Sequence, residues 1–242
     1  YLAFSTNATE RMRILSGGNV CIGGTTDEGY NTLLNLEGAG GTDDVPGILF
    51  KNTSASNDED IMALIASQGA DSVGAINIKR EGNADDAYID FLTQANSGSM
   101  AERMRITSNG NVGIGNSSLE TWTSDYTALQ IGGAASLAAT TTQAAGDVSF
   151  LSHNCYYDTT NSRWEYMSTN ADDEASQMYM QNGNVVFRVT STAGADDAAV
   201  SWTTAMSISN IGNVGIGVAD PDELLEVAGD VKISGLQKLY FY

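Results

Sequence analysis

Few side chains in this sequence suit covalent or acid–base chemistry. His153 is the single histidine and stands in FLSHNCYYD beside Cys155, a pairing that elsewhere can make a Cys/His or Ser/His nucleophile. No Gly-x-Ser-x-Gly elbow accompanies it, and on an alternating strand His153 reads as a packed or turn residue. Cys21 and Cys155 are the two cysteines; they lack any Cys-x-x-Cys or Cys/His ligand spacing, so both read as free, buried thiols. Acid runs are plentiful: Asp43-Asp44, Asp58-Glu59-Asp60, Asp85-Asp86, Asp172-Asp173-Glu174 and Asp196-Asp197. Two carboxyls across a cleft can hydrolyse a glycoside, and several oxygens in one loop can hold calcium. Adjacent acids on a strand point to opposite faces, and no run has calcium-loop spacing, so these read as solvated turn residues. No catalytic residue, metal ligand or cofactor is expected, with calcium the one ion kept in view.

Aromatic residues are concentrated at Tyr156, Tyr157, Trp164, Tyr166 and Tyr179. Exposed beside Asn and Asp, such rings make a receptor or glycan contact. Packed inward, they form the core of an inserted β segment, and this is the preferred reading. The glycine-rich GNVGIG lacks the Lys-Ser/Thr of a phosphate loop and the spacing of a dinucleotide fingerprint, and no helical pattern follows it. Thirty acids against eleven Lys and Arg give a net charge of −19, which argues against binding nucleic acid or an anionic membrane. That charge suits a soluble surface in a cation-rich setting. The chain opens YLAFSTNATE, without a charged n-region or a long apolar run, so neither a leader nor a membrane-inserted helix is expected, and it reads as a piece of something longer.

The elements that must carry these residues announce themselves by repetition. TERMRILSGGNVCIG at 9–23 and AERMRITSNGNVGIG at 101–115 align with TAMSISNIGNVGIG at 204–217, bringing Met12, Met104 and Met206 into register. Each copy closes on a second apolar alternation: LLNLEG at 33–38, ALQIGG at 128–133 and LLEVAG at 224–229. Within the motif, Met104 and Ile106 precede a turn while Val112 and Ile114 follow it at even spacing, as a half-buried hairpin requires. Gly18, Gly110 and Gly212 hold the turn position that needs positive φ, so the motif is read as preserving backbone geometry alone. Arg11, Arg13, Arg103 and Arg105 face away from the methionines and are expected to pair with nearby acids. Cys21, standing where the other copies have Gly113 and Gly215, is a small residue tolerated in a tight strand.

Further alternations, including GILFKNT at 47–53, GAINIKR at 74–80, AYIDFLT at 87–93 and NVVFRVT at 184–190, read as strands between the motifs. The organisation expected is a first hairpin repeat at 1–40, an inserted β segment at 41–100 and a second repeat at 101–135. An aromatic-rich inserted β segment follows at 136–203, then a third repeat at 204–235 and a tail at 236–242. The fold expected is all-β: elongated, built of repeated hairpin units with inserted small β domains, and intertwined as a homotrimer. The apolar area of each unit is too small to stand alone, and three chains around an axis would bury it together with the strand edges.

ERMRITSNGNVGIG, followed by a variable stretch and a Leu-rich closing strand, resembles the shaft repeat of bacteriophage tail fibres and tail spikes. The block from TALQIGGAASL through FLSHNCYYDTTNSRWEYMS to AVSWTTAMSISNIGNVGIG is similar to a second recurring segment of those fibres, and together the two cover most of 1–235. The resemblance implies a non-enzymatic, homotrimeric, extracellular virion protein that spaces or presents a receptor-binding tip and contributes to host attachment. Implied partners are other tail or baseplate proteins and a host surface glycan or protein. A polysaccharide depolymerase spike and a trimeric bacterial surface adhesin are the alternatives. Many such fibres continue past the last hairpin into a self-cleaving chaperone domain, whereas VKISGLQKLYFY stands here.

Overall fold

The structure is a computed structural model that describes residues 1–7, 9–16, 20–22, 34–36, 60–68, 71–82, 86–167 and 173–234. All regular structure among them is β. The chain divides into two compact units, Tyr1–Lys51 and Asn52–Tyr242. Gly18, the strand expected at 47–53 and the acids Asp43, Asp44, Asp58, Glu59, Asp85 and Asp172 lie outside the described residues.

The first unit is a four-stranded sheet of β1 (Leu2–Thr6), β2 (Thr9–Ile14), β3 (Val20–Ile22) and β4 (Leu34–Leu36), in chain order. The second begins with β5 (Asp60–Gln68), β6 (Asp71–Arg80), β7 (Ala87–Gln94), β8 (Met100–Ile106), β9 (Val112–Ile114) and β10 (Tyr126–Ile131). It continues through β11 (Ala135–Thr140), β12 (Val148–His153), β13 (Cys155–Asp158), β14 (Arg163–Tyr166) and β15 (Ser176–Gln181), then β16 (Asn184–Val189), β17 (Thr203–Ile208), β18 (Val214–Ile216) and β19 (Leu225–Val227). Thirteen of these form one sheet whose order follows the chain from β5 to β19, with β13 and β14 set apart as a pair. The inserted segments expected at 41–100 and 136–203 thus contribute strands to the same sheet as the second and third repeats.

Alternating side chains and polar turns explain most of this ladder, which is antiparallel nearly throughout. The exceptions recur at one place in each repeat: the closing strand lies parallel to the second hairpin strand, as β4 to β3, β10 to β9 and β19 to β18. In the second and third repeats the crossover segment that follows the hairpin folds back against it, as Gly113 beside Asn116 O and Gly215 beside Val218 O show.

One such crossover helps build a second layer. Residues 121–123 flank β13 through Thr123 N–H to Tyr157 O (3.3 Å), and residues 198–200 flank β14 through Val200 N–H to Trp164 O (2.9 Å) and Tyr166 N–H to Ala198 O (3.1 Å). Trp122, Tyr156 and Met167 of this layer pack with Ala128, Ala138, Val148 and Phe150 of the sheet to make the main core.

Candidate functional site

The three repeats are larger than their hairpins. In the first, Phe4 pairs with Met12, Met12 with Ile22, and Ile22 with Leu36. The second repeats the row as Phe91, Met104, Ile114 and Ile131, and the third as Phe187, Met206, Ile216 and Val227. One pleat away run Leu2, Ile14, Val20 and Leu34, then Ile89, Ile106, Val112 and Leu129, then Val185, Ile208, Val214 and Leu225. A β-bulge precedes the methionine in every copy. The unit is thus a four-stranded tile carrying two apolar rows on one face.

Between the second and third tiles the same face continues from Leu129 through Leu137, Leu151 and Met178 to Phe187. Its side chains are left open: Leu137 is 50% exposed, Leu151 53% and Ile131 50%. Their neighbours on the opposite face are polar and covered, with Gln130 at 0%, Ser136 at 2% and Gln177 at 4%. The covered face thus mixes Gln130, Ser136 and Gln177 with the apolar core residues Ala128, Ala138, Val148 and Phe150, while the opposite face turns leucines outward.

The hairpin turns are alike down to their hydrogen bonds. Gly110 has φ +81° and Gly212 φ +90°, and a Cβ at either would meet nothing within 4 Å, so backbone torsion is what selects glycine there. Thr107 N–H donates to Asn111 O and Ser209 N–H to Asn213 O, both at 2.9 Å. The reading that only backbone geometry is preserved needs correction at the next residue. Buried Asn111 accepts the Ala128 N–H on its Oδ1 at 2.9 Å, and buried Asn213 donates from Nδ2 to Pro221 O at 3.1 Å. Each asparagine ties its hairpin to the segment that returns beside it, and its recurrence in all three copies was the available signal.

Gly113 and Gly215 are squeezed by the same return. A Cβ on Gly113 would lie 2.5 Å from Asn116 O, and one on Gly215 would lie 2.4 Å from Val218 O. Cys21, in the corresponding place, is fully buried.

The arginines behave differently in pairs. Arg13 and Arg105 meet acids as expected, Glu10 at 2.6 Å and Glu102 at 2.7 Å, and each guanidinium also lies over a tyrosine ring, Tyr1 or Tyr88. Arg11 and Arg103 instead donate to Thr6 and Thr93, the threonines two residues beyond the tile phenylalanines.

The aromatic group is internal. Tyr156 and Tyr166 are each 3% exposed, and Tyr157, Trp164 and Tyr179 are partly buried against the two small clusters of the second layer. Trp164 meets Phe150, Tyr157, Trp122 and Trp202 edge-on, with centroids 4.7–6.3 Å apart. Arg188, held by Gln177, caps the cluster with its guanidinium carbon 4.3 Å from the Trp202 ring centroid. The rings of Tyr156 and Tyr166 lie in the core, their faces occupied by packing.

His153 ends β12 and Cys155 begins β13, with Asn154 at φ +51° between them, and the two side chains do not form a couple. His153 is exposed, with Nε2 4.0 Å from Asp173 Oδ2, whereas Cys155 is fully buried and burial pushes its thiol up to about 12. A thiol so shielded is no nucleophile at ordinary pH. No group of three or more His, Cys, Asp or Glu among the described residues is arranged to hold a metal ion.

Two carboxyls meet at the Tyr156 hydroxyl, those of Glu165 and Asp197. That hydroxyl lies 2.8 Å from Asp197 Oδ1 and 3.2 Å from Glu165 Oε2. Glu165 is 1% exposed and accepts Arg163 Nε at 2.7 Å and Asn161 Nδ2 at 2.9 Å on its other oxygen. Burial, and then the charges of Asp196 and Asp197, push the Glu120 carboxyl up to about 7. The sequence pointed to Asp196-Asp197 but not to Glu120 or Glu165, which have no charged neighbour in the chain to flag them.

The class these features define is an all-β chain of repeated tiles, with one sheet face roofed and the other apolar and open. No protein-family model and no curated protein matches the sequence. Among solved structures, the carboxy-terminal domain of the bacteriophage T5 L-shaped tail fibre aligns with 85% of this chain and 99% of that one, at a TM-score of 0.43 and 9% sequence identity.

Proposed function

We propose that this chain is a shaft segment of a homotrimeric virion tail fibre, without enzymatic activity, that spaces or presents the tip contacting the host. The observation that carries the assembly is the open apolar face, repeated tile by tile in one register and left uncovered by the second layer. Such a face is stable only against more of its own kind, and cyclic symmetry brings equal rows together at every level. Two sheets face to face would also cover it. Three is favoured by the resemblance of ERMRITSNGNVGIG to fibre-shaft repeats, and that resemblance also supports the virion setting.

Sedimentation of the purified chain, with imaging of the particle it comes from, tests both parts. A folded monomer dispersed at micromolar concentration overturns the assembly, and a dimer overturns the threefold axis. The depolymerase alternative predicts oligosaccharide release from a host surface polysaccharide, and the present reading predicts none.

A further inference from the structure

The second and third tiles hold the same polar cleft at different sizes. In each it lies between the hairpin turn and the crossover, and Arg105 and Thr107 of the second tile stand where Ser207 and Ser209 stand in the third. The latch at its rim is shared too: Glu81 accepts the Ser108 N–H and Asn184 accepts the Asn210 N–H, both at 2.8 Å. The third tile's cleft has a volume of about 110 Å³ and the second tile's about 300 Å³. Crossover length accounts for the difference. Val214 meets its parallel partner at Leu225, eleven residues on, whereas Val112 meets Leu129, seventeen residues on. The added chain brings Glu120, Thr121 and Trp122 into the wall, and Trp122 anchors it in the main core. A tile can therefore close without the larger cleft.

The wall of the larger cleft is fixed, yet its polar groups are not used up. Glu120 N–H donates to Gln130 Oε1 at 2.8 Å, Glu120 O accepts the Trp122 N–H at 3.0 Å, and Trp122 Nε1 shares the same Gln130 oxygen at 3.3 Å. The half-buried Glu120 carboxylate, in contrast, takes no hydrogen bond and no ion pair from the described residues. Gln130 is fully buried, and its Nε2 has no partner. A donor left unmatched on a side chain bonded to two residues of the wall is the kind of group that a bound oxygen satisfies. Glu81 keeps its second oxygen, and the exposed Asn109 and Ser117 add an amide and a hydroxyl. Arg105, the one cation among the described residues of the wall, is bound to Glu102 and lies over the Tyr88 ring.

We propose that this cleft binds a neutral pyranose ring of a host surface polysaccharide. Two carboxylates with free oxygens call for a ligand rich in O–H donors on neighbouring carbons, which a sugar ring supplies, and the bonds are charge-assisted. The same carboxylates repel uronic, sialic and phosphorylated sugars. The volume suits a small ligand. Arg105, Gly113 and Gln130 form one cross-strand row on the roofed face of the sheet, so the cleft opens away from the apolar rows that assembly covers. The shaft reading leaves host contact to a tip; this inference goes beyond it by setting a weak contact on the flank of every chain, strengthened by multivalency in an oligomer.

Saturation-transfer difference NMR on the purified assembled protein tests the site. The probes are the methyl glycosides of glucose, galactose, mannose and N-acetylglucosamine, with methyl glucuronide as the anionic control. Transfer to at least one of the four, and none to the glucuronide, is expected. Ser117→Arg, at an exposed position of the wall, sets a long cationic side chain in the cleft and should abolish the transfer. Glu120→Gln keeps the shape, and should weaken the preferred glycoside about fivefold by exchanging a charge-assisted bond for a neutral one. It should also narrow the discrimination against the glucuronide. Silence from all four glycosides overturns the proposal, as does equal transfer to the glucuronide or transfer that persists in Ser117→Arg. Should Glu120→Gln fail to fold, Ser117→Arg decides alone. Sedimentation of the same samples separates this inference from the shaft reading: a dispersed monomer that binds overturns only the shaft, and an intact oligomer that binds none of the probes overturns only the cleft.

Discussion

Phe91 stands directly across the ladder from Met104, and the methionine's strand bulges at Arg103, the residue before it. Phe187 stands in the same way to Met206, and Phe4 to Met12. A bulge raises local twist and re-aims the next side chain, so its recurrence fixes how each apolar row meets the rest of the strand. The tile, rather than the hairpin, is the repeating unit of the chain.

Leu151 lies midway along the open face that links the second and third tiles, which makes it a direct probe of assembly. Leu151→Lys removes about 1.5–3 kcal/mol of apolar burial per chain and leaves an ammonium without a partner in the joined face. Sedimentation should show loss of the oligomer, while Ser118→Lys, at an exposed polar site, should leave it intact.

At Gly110 the free space around a built Cβ separates torsional strain from steric clash. Gly110→Val should lower the melting temperature through roughly 1–3 kcal/mol of backbone strain per chain, and Gly110→Asn should cost visibly less because asparagine enters the left-handed region more readily. Equal melting temperatures for the two variants would contradict the turn as described.

Asn111→Ala should be comparably damaging although it touches no turn torsion. It strips the acceptor from the Ala128 N–H, a group inside the main core, at a cost of about 1–3 kcal/mol. Asn111→Asp keeps an acceptor at the same place and should retain most of the stability, as denaturant midpoints would reveal.

Cys155 should resist thiol reagents in the native protein at mildly alkaline pH, since its thiol is buried and pushed up to about 12. Labelling followed by mass spectrometry should track unfolding, and rapid modification of folded protein would contradict its place in the core.

The hairpins were legible in the sequence because period-two alternation around Asn109-Gly110 admits few other folds. The tile was not, because the loop between its first two strands varies: Phe4 precedes Met12 by eight residues, Phe91 precedes Met104 by thirteen and Phe187 precedes Met206 by nineteen. Strand direction was also hidden, since Leu129 and Ile131 alternate identically whether β10 runs parallel or antiparallel to β9. Nor could the burial of polar residues on the covered face be read. Gln130, Ser136 and Gln177 look like an outer face until a second layer from residues 121–123, β13, β14 and 198–200 is laid over them. The same layer turned the Tyr156 and Tyr166 rings into interior packing and brought Glu120 beside a turn more than seventy residues away.

The thirteen-stranded sheet follows the order of the chain, so each of its strands is hydrogen-bonded to the sheet strand before it and the sheet strand after it. Such a ladder has no keystone. Deleting one antiparallel pair together with its turns, away from the roofed region, should bring the flanking strands together with their direction preserved and shorten the span by about 10 Å, twice the spacing of neighbouring strands. Duplicating a pair should lengthen it by the same step. The span of this sheet is therefore set in increments, and selection can adjust it like the rungs of an extension ladder without redesigning any one rung.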